Sequence, residues 1–291
     1  MLSALRLARV PLISTLLSNA RIAASMIVLS IVNLTSRAPV TAPDGPVVSL
    51  TSYSKRVDQV HLTIESIARG SQKPSRLILW LDEQERLANP PRALRRLVAR
   101  GLEIRETPNY GPHKKYYPYA AGTAHHSVPL VTSDDDTMYP EEWLASLVRA
   151  HRVDPEMVVA HRVNLIEIRD GAIAPYSSWR RATSTSLSPR NFAVGVRGIL
   201  YPPAFLDVLR EQGTGFEDVA PRADDVWLHW NLIRSGRRVR PILELPAEDF
   251  LPVRGGGRVA GLWASNIDSG GNDEQIRRTY APEEVAVIVG G

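Results

Sequence analysis

The chain has 291 residues, 44% of them hydrophobic and 23% charged, which excludes a disordered chain and suffices for one large core or two small ones. It has no cysteine, which excludes a disulfide framework and cysteine-ligated zinc and fits a cytoplasmic location. The net charge of +4 is modest for this length; with no DNA- or RNA-recognition motif in the sequence, it points to acidic ligands or an anionic membrane and not to nucleic acid.

Residues 1–40 differ from the rest: they carry arginines, and the first acidic residue is Asp44. Their longest uncharged run, Ile22–Ser36, is fifteen residues, short of the roughly 20 apolar residues of a spanning helix. No small-x-small cleavage site follows it. Two basic, apolar helical pieces broken near Ser18-Asn19-Ala20-Arg21 suit an interfacial anchor. Residues 1–37 are therefore expected to touch the inner face of the plasma membrane peripherally; a helix packed on the domain is the other reading. Residues 41–291 are expected to form one catalytic domain.

After the Pro-rich stretch Arg37–Pro46, strands and helices alternate. Val47–Tyr53 reads as a strand. In "DQVHLTIESIARG", Val60, Ile64, Ile67 and Ala68 fall at helical spacing, with Asp58 as the cap and Gly70 as the stop. Arg76–Asp82 is a second strand, Pro90–Gly101 a helix opened by Pro and closed by Gly, and Leu102–Thr107 a third strand. "KKYYPYAAGTAHH" is a short helix, "PLVTSD" the fourth strand and Pro140–His151 the next helix. This order predicts an α/β fold, a Rossmann-like, mostly parallel sheet with helices on both faces. The second half is less regular: a strand in Met157–Ile168 with a turn at Asp170-Gly171, a strand in Phe192–Pro203, a helix over Ala223–Gly236 and a strand over Arg240–Leu245.

Open parallel sheets bind ligands at the carboxyl ends of their strands. The fourth predicted strand ends in Asp134, Asp135 and Asp136, three like charges that call for a positive partner. On extended backbone Asp134 and Asp136 share one side, with Asp135 opposite or along the edge. Two such oxygen ligands suit a hard divalent cation, Mn²⁺ or Mg²⁺, completed by substrate phosphates. An Asp-x-Asp pattern alone is a weak signal; at the end of a central strand it is stronger.

Taken in order, "VVSLTSYSKRV", "LTIESIARGSQKPSRLILWLD", "NYGPHKKYYP", "VTSDDDTMYPEEWL", "GILYPP" and "ADDVWL" give the chain its family likeness. Between about Val47 and Leu245 it resembles bacterial nucleotide-sugar glycosyltransferases of the GT-A fold, family-2-like, of cell-surface polysaccharide synthesis. The resemblance implies a nucleotide pocket lined by Thr51, Ser52 and Tyr53, with Asp82 at the base and Lys115 near the nucleotide. It puts the Asp-x-Asp metal ligands at Asp134 and Asp136, with Asp135 counted in the donor-binding set and the ligand register open by one residue. It gives the catalytic base to the Asp224-Asp225 pair, with Asp225 favoured and Asp224 orienting. The implied partners are a nucleotide-diphosphate sugar donor and a glycan or lipid-linked acceptor, and the implied stereochemistry is inverting.

Each residue also has a plainer reading. Asp82 could cap a helix, Lys114 and Lys115 could be solvated, and Asp224 and Asp225 suit a helix first turn. His125-His126 reads as structural because adjacent side chains diverge. Trp227 and Trp230 read as core. "RGGGR" (Arg254–Arg258) is a lid or a loop, and "NIDSGGNDEQ" is unassigned. Two rivals remain: a nucleotidyltransferase, disfavoured because "TSYSKR" has no glycine, and a non-catalytic, membrane-associated sugar-binding scaffold.

Overall fold

A computed structural model describes residues 2–254 and 271–291. Most of the glycine-rich stretch after Arg254 and the first half of "NIDSGGNDEQ" lie outside the described residues. Seven strands form the central sheet: β1 (Val47–Thr51), β2 (Arg76–Leu81), β3 (Leu102–Glu106), β4 (Leu130–Thr132), β5 (Val158–Ala160), β6 (Ile199–Tyr201) and β7 (Val239–Pro241). Their spatial order is β7-β5-β6-β4-β1-β2-β3. Every pairing is parallel except those of β6, which runs antiparallel to both β4 and β5.

Strand alternation sorts the apolar residues onto two faces. In β2, Ile78 and Trp80 enter one core while Leu77, Leu79 and Leu81 enter the other; β1, β4 and β6 divide in the same way, Val47, Leu130 and Ile199 against Val48, Val131 and Leu200. The helices Val60–Ala68, Arg92–Val98 and Trp143–Val153 cover the second face through Ile64, Leu94 and Leu147. The first is covered by Tyr117–Ala121, Pro203–Gln212 and Asp224–Arg234 through Ala120, Leu206 and Val226. Gly198, at φ +94°, allows the close packing of Trp143, whose ring would stand 2.7 Å from a Cβ there. A small antiparallel sheet, Arg180–Arg181 with Val163–Leu165 with Asn191–Ala193, stands beside the seven strands.

The expected break near Ser18–Arg21 is absent. One helix spans Leu2–Thr35, because none of those four residues is Gly or Pro, and Ala and Arg favour helix. Its stretch Thr15–Thr35 is long and apolar enough to cross a membrane by length and composition. Yet one side of it is docked. Ile22 and Leu29 are buried with Leu62 and Met138. Asn33, 1% exposed, donates to Glu65 Oε1 at 2.9 Å and accepts from Arg96 Nε at 2.9 Å. The fully buried Glu65 is in turn paired with Arg100 at 2.6 Å. Arg21 meets Asp249 at 2.8 Å. The opposite side, about 180° round at 100° per residue, exposes Leu16, Leu17, Ile27, Ile31 and Leu34.

Candidate functional site

The candidate residues gather around the carboxyl ends of β1, β2 and β4. Directly after β1, buried Ser52 donates its hydroxyl to Asp135 Oδ2 at 2.6 Å. The next turn, Ser54–Asp58, brings Arg56 over the Tyr53 ring, 5.3 Å from its centroid. Arg56 Nη2 lies 2.6 Å from Asp135 Oδ1 and also contacts Asp136 Oδ2. Thr51 is tied into the sheet, its hydroxyl donating to the Trp80 carbonyl at 2.9 Å.

The strict alternation expected of the three aspartates does not hold. β4 stops at Thr132 and the backbone bends at Asp135–Asp136, so these two neighbours share one guanidinium while Asp134 meets Lys115. Asp135 accepts from Ser52 and Arg56, and its carbonyl accepts from Thr63 Oγ1 at 2.9 Å. Burial pushes its carboxyl up to about 6 against the pull of Arg56 and Ser52. Asp136 stays 54% exposed. The Asp134 N–H donates to the Tyr139 hydroxyl at 2.8 Å, and its carboxylate meets Lys115 Nζ at 3.3 Å. Burial raises the Asp134 carboxyl, and nearby Asp136 adds to that, with Lys115 opposing.

Lys115 closes the turn Gly111–Lys115 before the helix Tyr117–Ala121. The Ser49 hydroxyl of β1 donates to its carbonyl at 2.6 Å, fixing the turn to the sheet. Its ammonium lies between Asp134 and Asp224, 3.6 Å from Asp224 Oδ2. Burial works against that charge, but Asp224, Asp134 and Asp225 outweigh it and hold Lys115 protonated. Asp224 and Asp225 open the helix Asp224–Arg234, where the helix dipole favours carboxylates. Asp225 Oδ1 accepts the Gly195 N–H at 3.0 Å. Burial, then Asp224 beside it, push the Asp225 carboxyl up to about 8. A Cβ at Gly195 would stand 2.9 Å from Lys115 Nζ and 3.3 Å from Asp225 Oδ1, so glycine permits this approach.

The structure thus gathers Asp134, Lys115, Asp224 and Asp225 into one group and Ser52, Tyr53, Asp135 and Asp136 into a second group around Arg56. Asp82 is held apart by Lys114 at 2.7 Å and does not cap the following helix, whose first flanking residue is Glu83. Sequence reasoning missed Arg56, although "TSYSKR" was in view; the positive partner sought for the aspartates is in part this guanidinium. It also missed Gly195 and the Lys114–Asp82 pair. His125 and His126 do not diverge: both Nδ1 atoms reach Asp207, at 2.9 and 2.6 Å. Trp227 is core, and Trp230 stacks on it at 5.0 Å. Among the described residues, no three His, Cys, Asp or Glu side chains converge as a cation site made of protein alone.

No protein-family model and no curated protein matches the chain. Among solved structures it is similar to the mannosyltransferase PcManGT from Pyrobaculum calidifontis in complex with GDP-Man and Mn²⁺, at 15% identity over 94% of this chain and 78% of that one, TM-score 0.51. The fold is of the GT-A type. Weaker likenesses join this GT-A-type chain to CMP:2-keto-3-deoxy-manno-octonic acid synthetase complexed with CTP (14% identity, 68% of this chain and 88% of that one, TM-score 0.42). Another is to S. aureus TarS 1–349 (12%, 68% and 58%, TM-score 0.44). In the GT-A-type frame, the carboxyl ends of the strands are where the polar residues collect.

Proposed function

We propose that this chain moves a sugar from a nucleotide-diphosphate donor to an acceptor hydroxyl, as an inverting, hexosyltransferase-like enzyme of cell-surface glycan synthesis. One observation carries the reading: Asp225, a carboxyl with raised basicity, stands beside Lys115 and Asp134 at the ligand-binding edge of a GT-A-type sheet. Asp225 accepts the acceptor's proton as the hydroxyl oxygen attacks the anomeric carbon; the bond from that carbon to the diphosphate breaks, and its electron pair leaves with the diphosphate. The Gly195 N–H orients the carboxyl. Lys115, held protonated, lends positive charge on the donor side.

The residues fit a divalent cation, Mn²⁺ or Mg²⁺. Asp136 is more than half exposed, Asp134 is within its electrostatic reach, and two hard oxygens with phosphate oxygens form a suitable donor set. Such a cation, when bound, neutralises charge on the leaving diphosphate. Asp136 and Asp134 would hold it, with Thr51, Ser52, Tyr53, Asp82 and Asp135 framing the nucleotide. The exposed apolar side of the helix Leu2–Thr35, with arginines and no acidic residue in residues 1–43, supports peripheral contact with the inner face of an anionic membrane.

The test is thermal stability of the protein with a panel of nucleotide-sugars, with and without Mn²⁺. One donor should raise the melting temperature in a Mn²⁺-dependent way. If none does, the reading fails. Release of pyrophosphate in place of a nucleoside diphosphate would favour nucleotidyl transfer.

A further inference from the structure

Three arginines near Asp225 have no role in the chemistry above. Arg162 follows β5, and its carbonyl accepts the Val194 N–H at 2.9 Å, one residue from the Gly195 that holds Asp225. Arg181 pairs with Asn164 across the small sheet, and Arg162 Nε donates to the side chain of the same Asn164 at 3.1 Å. Arg197 lies in the turn between Gly195 and Gly198, at φ +74°. Its guanidinium covers the Phe250 ring at 5.3 Å, and its Nη1 is shielded from solvent with no hydrogen-bond partner. Among the described residues, no carboxylate lies within ion-pair distance of any of the three. They are close enough to burden one another: after burial itself, Arg181 and Arg162 lower the basicity of Arg197, with Glu248 the one opposing charge.

Like charges gathered with no paired carboxylate are costly unless an anion meets them. Position says which anion. Ile199 pairs with both Thr132 and Ala160, so the start of β6 and the ends of β4 and β5 share one edge. The groups expected to frame the nucleotide stand on β1 and β2. Arg162 follows β5 and Arg197 precedes β6, three and two strand spacings from β1 or about 14 and 10 Å, and Arg181 stands on the small sheet. The aspartates of β4 lie between.

We propose that Arg162, Arg181 and Arg197 form a phosphoryl-binding site beside Asp225 that takes a phosphate group carried by the acceptor. The inference rests on the glycosyl-transfer reading for the word acceptor, but not for the site. Arginine suits the task because its planar fork grips phosphate oxygens in pairs.

The test is equilibrium binding to the full chain of inorganic phosphate and phenyl phosphate, with phenol as the uncharged control, and separately of UDP and GDP with Mn²⁺. Phenyl phosphate should bind and phenol should not. Arg162→Gln and Arg181→Gln should each weaken phenyl phosphate by about tenfold or more while nucleoside diphosphate affinity holds. Arg197→Lys keeps the charge in a strained turn and should give a smaller loss in the same direction. Unchanged phenyl phosphate binding in all three variants, each shown folded by its melting curve, overturns the site. Parallel loss of UDP or GDP affinity assigns the arginines to the donor's diphosphate and overturns the acceptor assignment. Failure of every nucleotide-sugar to bind, with arginine-dependent phosphate binding intact, removes the glycosyl-transfer reading and leaves the site standing.

Discussion

Arg56 lays one guanidinium nitrogen between Asp135 and Asp136, 2.6 Å from the buried carboxylate of Asp135. The pair with Asp135 is structural, since Ser52 and Thr63 grip the same aspartate from either side. The pair with Asp136 is exposed and exchangeable. A cation entering at Asp136 has to share or displace Arg56 there.

Arg56→Gln should therefore bind Mn²⁺ more tightly than the parent in the presence of a nucleoside diphosphate, and Asp136→Asn more weakly, both read by calorimetric titration. The first variant should also lose about 3 kcal/mol of stability, because it strands a buried carboxylate. Equal Mn²⁺ affinity in all three proteins would show that Asp136 is not a ligand.

Asp225→Asn should keep donor affinity and lose about 10²–10⁴-fold in transfer rate, the usual worth of a positioned base. The parent's kcat/KM should climb with pH through about 8, since the base works only after losing its proton and burial holds that proton late. That limb should vanish in Asp225→Asn. Asp224→Asn should do less damage to the rate; the reverse ranking would move the base to Asp224.

Gly195→Ala places a carbon against Lys115 and Asp225. It should slow transfer more than it lowers the melting temperature, and a variant with normal kcat would mean that the Gly195 N–H does not set the carboxyl's position.

The N-terminal helix is apolar on two sides, and the sides should separate by experiment. Leu16→Gln with Ile27→Gln and Ile31→Gln should reduce partition onto vesicles containing phosphatidylglycerol while leaving the melting temperature unchanged. Asn33→Ala should do the opposite, costing roughly 1–3 kcal/mol by leaving Glu65 and Arg96 short of a partner. A chain beginning at Val40 should still turn over donor, with a lower melting temperature because Leu62 and Met138 are uncovered.

Three buried histidines set an acid limit. Burial lowers His113, His161 and His229 to about 4 each, and all three are neutral in the fold. Below about pH 6.5 the unfolded chain takes up protons that the folded chain refuses until about pH 4. The three histidines should therefore lower stability as pH drops through that window, partly offset by Asp135 and Asp225, whose raised carboxyls bind protons in the fold before the unfolded chain does. Imidazole NMR titration showing His113, His161 and His229 protonating near the ordinary pH of about 6.5 in the folded protein would mean the rings are open to solvent.

The first half of the sheet was legible because β1, β2 and β4 are short, mostly apolar runs followed by polar residues at the ligand edge. The aspartates after β4 could be placed by the same logic, whereas the Asp224-Asp225 pair, at a helix start, was placed by the family resemblance. Arg56 was not legible: its partners lie some eighty residues on, and only a tight turn after β1 brings them together. The antiparallel direction of β6 was hidden because three residues carry no directional pattern. The helix Leu2–Thr35 looked broken because Ser18–Arg21 was read as an interruption, although Arg21 is an ion-pair partner of Asp249. The three arginines lie far apart in an irregular region, and only the folded small sheet collects them.

The stretch between Leu165 and Asn191 leaves and returns at one point: Leu165 faces Asn191 in the small sheet, and the Ile166 N–H donates to the Arg190 carbonyl at 2.9 Å. The excursion is closed like a cassette, with Tyr176, Trp179 and Arg181 inside it and both ends clamped. Tyr176 and Trp179 anchor the excursion in the core, so its exposed positions are the ones free to vary. Under the acceptor-phosphate proposal, a change of charge at Arg181 inside this closed excursion should alter phosphate binding while the Lys115–Asp225 group keeps its place.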